Sequence, residues 1–128
     1  MKKSNIIFWS TLIITTLILA SCSATKTFTL VGITKIELSS GSTGNAVEIT
    51  EQEQIQKLIL PFNEAEFIKE SSSKNVKGYN IRLRFYKDDK MVDEIIVCNW
   101  GAIDYKNYFY LTDEGTFDMP YFNELLNE

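Results

Sequence analysis

Residues 79–100 read YNIRLRFYKDDKMVDEIIVCNW, and they set the architecture of the chain around them. Ile81, Leu83 and Phe85 alternate with Arg82, Arg84 and Tyr86. A period of two is the mark of a strand with one dry face and one wet face. Asp88-Asp89 follows as a hairpin tip, since Asp tolerates tight-turn backbone. A return strand is expected over about 91–98, alternating less cleanly through Ile95-Ile96-Val97. A hairpin half wet and half dry belongs to an antiparallel sheet covered on one side.

Working outward, Gly101 and the YKN at 105–107 read as further turns, with short strands near 101–105 and 108–112. The tail TDEGTFDMPYFNELLNE predicts a closing helix. Asp118 is its cap, Pro120 lies in its first turn, and Met119, Phe122, Leu125 and Leu126 form its apolar stripe. Upstream, SSSKNVKG (71–78) reads as a polar loop. TEQEQIQKLILPF predicts a helix in which Thr50 caps and Glu53 completes a capping box. Its stripe is Ile55, Leu58, Ile59 and Phe62. Pro61 should kink or end it near Leu60, with 63–68 at most a further turn. A first strand is expected at about 32–39 and a second around Val47 and Ile49, joined by SSGSTGN (39–45). That glycine turn lacks the Lys-Ser/Thr and the following helix of a phosphate loop. The order β-β-α-β-β-β-β-α predicts an α+β domain. Its antiparallel sheet would hold about five to six strands in two or three hairpins. One main helix and a short C-terminal helix would lie on one face.

The chain opens MKKSNIIFWSTLIITTLILASCSATK. Lys2 and Lys3 precede an uncharged run from Ile6 to Ala20, about 15 residues and too short to span a bilayer. That pattern describes a secretory signal. Leu19-Ala20-Ser21-Cys22 resembles the bacterial lipobox. The resemblance implies a diacylglyceryl group on the Cys22 sulfur and cleavage between Ser21 and Cys22. It also implies a cell-membrane lipoprotein facing away from the cytoplasm, its two acyl chains sufficient for stable anchoring. The expected division is a signal over 1–21, a lipidated Cys and short tether over 22–31, and one domain over 32–128. Ser23 to Thr27 is the polar part of that tether and keeps the domain within some tens of ångströms of the lipid.

The downstream chain is similar to small domains of unknown function in lipoproteins of Gram-positive Firmicutes. The features that carry the similarity are KIEL (35–38), Thr50-x-x-Glu53, FYKDDK (85–90), YFY (108–110) and the short final helix. They span residues 33–127 and are structural; the resemblance implies no activity.

Losing residues 1–21 would remove two of the 13 basic side chains and none of the 17 acidic ones, leaving a net charge of −6. Nucleic-acid binders carry basic stripes, so that class is excluded, as is attachment to anionic lipid by charge alone. There is no His anywhere in the chain, which removes Ser-His-Asp and Cys-His catalysis and histidine zinc sites. With Cys22 acylated, Cys98 has no partner and is expected as a small buried strand residue. No metal and no cofactor are called for.

The acids Asp88-Asp89, Asp93-Glu94 and Asp113-Glu114 are adjacent pairs, and neighbours on a strand point to opposite faces. TDEGTFD lacks the spacing of a calcium loop. Two surfaces remain as candidates for binding. One is the wet stripe Arg82, Arg84 and Tyr86, preceded by Lys74 and Lys77; the other is the aromatic strand, with Tyr108 and Tyr110 on one face and Phe109 and Leu111 on the other. The expected function is a non-catalytic, membrane-anchored binding or interaction module. Its partners are the membrane through Cys22, and an envelope protein or a wall component. Two alternatives are an inhibitor or self-protection protein against an exported enzyme or toxin, and an envelope-acting enzyme using carboxylates or Cys98.

Overall fold

The computed structural model describes residues 25–76 and 78–127; Ser21, Cys22, Lys77 and the signal segment lie outside them. In chain order the elements are β1 (Thr25–Lys26), β2 (Lys35–Ser40), β3 (Ala46–Ile49), α1 (Gln52–Glu64), β4 (Phe67–Ser72), β5 (Ile81–Lys87), β6 (Lys90–Asn99), β7 (Ala102–Tyr105), β8 (Tyr108–Leu111) and α2 (Met119–Leu125). The fold is α+β with an antiparallel sheet, as expected. Among the described residues the sheet has eight strands rather than five to six, in the order β1-β4-β8-β7-β6-β5-β2-β3. Among the described residues no helix is long and apolar enough to cross a membrane.

The two unexpected strands have a common cause. In β4 only Phe67 is buried and the next five residues are exposed, so there is no periodicity to read. Its pairing with β8 is also broken by a bulge between Lys69 and Ser71. β1 is two residues long and pairs Thr25 with Ile68 and Lys26 with Phe67. Folded structure therefore reaches back at least to Thr25, inside the stretch expected as tether. Phe28 and Leu30 are buried in the core. Leu30 is held by Asn63, whose side-chain carbonyl accepts from the Leu30 N–H at 2.7 Å and whose amide donates to the Leu30 carbonyl at 3.0 Å.

The core lies between one face of the sheet and the helices. Ile36, Leu38, Ile81, Leu83, Phe85, Ile95, Val97 and Ile103 supply the sheet side; Ile55, Leu58, Ile59 and Phe62 supply α1. Phe62 is its centre, with ring centroids 5.7 Å from Phe85, 5.1 Å from Phe117 and 6.2 Å from Phe28. That environment explains why α1 continues through Pro61 to Glu64 instead of ending near Leu60. One backbone bond is forfeited at the proline, but the turn beyond it carries Phe62 and the Asn63 clamp. The capping box is absent: α1 is capped by Glu51, without a side-chain bond, so Thr50 lies one residue too early. α2 starts as expected, with the Asp118 carboxylate accepting from the Tyr121 N–H at 3.2 Å. Phe122 and Leu126 are buried, and Met119 and Leu125 rest against them.

The β7–β8 hairpin turns on Lys106 and Asn107, both with positive φ, the pair of left-handed residues that a two-residue turn of this hand requires. At Gly41 a Cβ would meet the Tyr79 carbonyl oxygen at 1.8 Å, so only glycine fits where the β2–β3 turn crosses the start of β5.

Candidate functional site

The sheet face opposite the core is built by register. Glu37 of β2, Arg84 of β5 and Glu94 of β6 stand in one row. Arg84 donates from Nε to Glu94 Oε2 at 2.9 Å and from Nη1 to Glu37 Oε1 at 3.2 Å. The hydrogen bond to Glu94 raises Arg84 above its already high range. Tyr86 donates its hydroxyl to Glu37 Oε2 at 3.3 Å. Lys35 reaches Glu48 at 3.7 Å and lies over the Tyr86 ring at 4.4 Å.

Arg82 is held less completely. Its Nε is 3.5 Å from Glu94 Oε1, near enough for charge attraction, yet it is buried and lacks a properly directed acceptor. Its guanidinium lies 3.9 Å from the centre of the Tyr79 ring, and cation–π attraction offsets part of that deficit. The expected basic stripe is thus present, but its arginines are engaged by Glu37 and Glu94. Lys74 lies in the exposed turn after β4.

The next row runs Ser39, Arg82, Ile96, Asp104, Phe109. The Ser73 hydroxyl donates to Asp104 Oδ1 at 2.6 Å. Cys98 shares this outer face, because Val97 before it is the core residue. It is half-buried rather than buried as expected, since the apolar run Ile95-Ile96-Val97 hides the alternation that continues through it. Burial, and then the Asp104 charge, push its thiol up to about 11. At neutral pH that sulfur is protonated and a poor nucleophile.

Tyr108 and Tyr110 do share a face, and it is the core face. Their register partners are Tyr105 and Ile103, both buried. Tyr110 packs on the core, and Tyr108, at the rim, carries Lys69 Nζ 3.6 Å above its ring. The two candidate surfaces therefore lie on opposite sides of the sheet. The Asp93-Glu94 pair is split in the same way: Asp93 accepts from the Tyr105 hydroxyl at 3.1 Å while Glu94 turns to the arginines. Among the described residues no three acids or cysteines gather where a metal ion would sit.

One feature is invisible in the sequence. A groove of about 730 Å³ opens between the C-terminal end of α1 and the β4–β8 pair, lined by Leu60, Pro61, Glu64, Ala65, Glu66, Ile68, Leu111, Thr112, Asp113 and Thr116. Leu60, Ile68 and Leu111 are exposed there by 51%, 60% and 42%. It is hidden because the strand Phe67–Ser72 that walls it carries no periodicity. Compared with known protein families, characterised proteins and solved structures, the chain finds no match.

Proposed function

We propose that this chain is a lipid-anchored module displayed on the outer side of the cell membrane, acting by binding rather than by catalysis. The carrying observation is the Leu19-Ala20-Ser21-Cys22 pattern closing an apolar run, with a strand of the folded domain present by Thr25, three residues later. A signal and a lipid on Cys22 account for everything ahead of that point.

Binding is the reading that the outer sheet face supports. Its arginines and glutamates neutralise one another in a fixed pattern, a surface suited to complementary contact with an envelope protein or wall component. Two features weigh against the enzyme alternative. The half-buried Cys98 thiol is held protonated, and the Asp93 and Glu94 carboxylates point apart.

Fractionation of the host tests the proposal. The wild-type chain should stay with membranes through high-salt washing and leave with detergent. Cys22→Ala should lose the lipid-bearing mass that starts at residue 22. A wild-type chain released by salt would overturn the reading.

A further inference from the structure

We propose that the groove between α1 and the β4–β8 pair rests on the bilayer that holds the lipid of Cys22, with Leu60, Ile68 and Leu111 entering the headgroup–acyl boundary. The inference rests on the lipid-anchor reading above and gives it an orientation.

Chain length decides it. Cys22 and Thr25 are three residues apart, so their Cα atoms lie within about 11 Å of each other. Thr25 is the register partner of Ile68, and Ile68 of Leu111. With strands spaced about 5 Å apart, Leu111 lies on the order of 10 Å beyond Thr25 across the sheet. The opposite edge, β3, lies six further strands away from β4, roughly 30 Å. A lipid held on so short a leash presents the β1–β4 edge to the membrane, and the exposed apolar side chains of that edge are the ones beside the groove. Glu64, Glu66 and Asp113 also line it. Their charge favours a zwitterionic surface over an anionic one, because like charge disfavours approach within a Debye length.

The test uses the lipidated protein extracted from host membranes and reconstituted into phosphatidylcholine vesicles, with or without bromine on the acyl chains. Trp9 lies in the segment cleaved on this reading, so Trp100→Phe leaves the mature chain without tryptophan. Ile68→Trp and, on the far edge, Ala46→Trp then serve as single reporters at exposed positions. Ile68→Trp should lose about half its emission to brominated lipid, the depth of an interfacial side chain, while Ala46→Trp loses almost none. Quenching at position 68 should fall when phosphatidylglycerol is added. Equal quenching of the two reporters, or none at position 68, would overturn the orientation. Absent quenching with a doubled native mass would assign the groove to a second copy, and would equally overturn it. Intact mass of the same sample keeps the two claims apart. A lipidated mass without quenching sinks only the orientation, whereas a mass without lipid sinks the anchor and the orientation together.

Discussion

Removing the Arg84 guanidinium leaves Glu37 and Glu94 in one row across the sheet without the cation that each accepts from. All three side chains are about a third exposed, so water and salt screen much of the interaction. Arg84→Leu should lower stability by about 1 kcal/mol in urea unfolding at low salt, with the loss shrinking as salt is added. No change at low salt would mean that the row is not formed in solution. Cys98 makes a second residue-scale prediction. In the Cys22→Ala chain it is the only thiol. Its displacement from 9.0 to about 11 implies roughly 100-fold less thiolate at pH 8 than an unperturbed group. Iodoacetamide labelling, followed by mass, should be correspondingly slow in the native protein and fast in urea. The sign for stability follows. The folded state holds the neutral thiol, so Cys98 is without effect below pH 9 and destabilises the fold as pH rises through 9 towards 11. Native labelling as fast as in urea would contradict its position on the sheet.

At the scale of elements, the two helix starts make a contrast. Thr50 makes no cap and Asp118 does. Thr50→Ala should change stability by a few tenths of a kcal/mol, and Asp118→Ala should lose about 1 kcal/mol. Phe62→Ala, at the meeting point of Phe28, Phe85 and Phe117, should lose about 3–5 kcal/mol. These differences also show what was legible in the chain. β5 could be read because burial alternates through all of its first six residues. The α1 stripe could be read because Ile55, Leu58, Ile59 and Phe62 all reach the core. β4 could not, since its place is decided by backbone pairing to β1 and β8 rather than by side-chain pattern. Thr50 misled because a capping box specifies residue types, while the helix takes Glu51 as its cap, one residue later. The outer face was half legible. Alternation placed Arg82, Arg84 and Tyr86 together, but only register shows that glutamates from two other strands occupy the arginines.

For the whole molecule, the consequence of these small corrections is a shorter leash. With Phe28 and Leu30 in the core and Thr25 already in the sheet, at most two residues lie between the proposed lipid site and the first described strand. If Cys22 carries the proposed lipid, a partner of the outer face would be met close to the membrane, with the sheet edge at β1 and β4 nearest the lipid. Net charge would not hold the chain at an anionic membrane, since acids outnumber bases. The account consequently depends on covalent lipid at one atom, the Cys22 sulfur. The intact mass of the protein taken from host membranes tests this most directly. The mature chain should start at Cys22 and carry a diacylglyceryl group, with that mass absent from Cys22→Ala. An uncleaved chain that starts at Met1 and carries no lipid would contradict it.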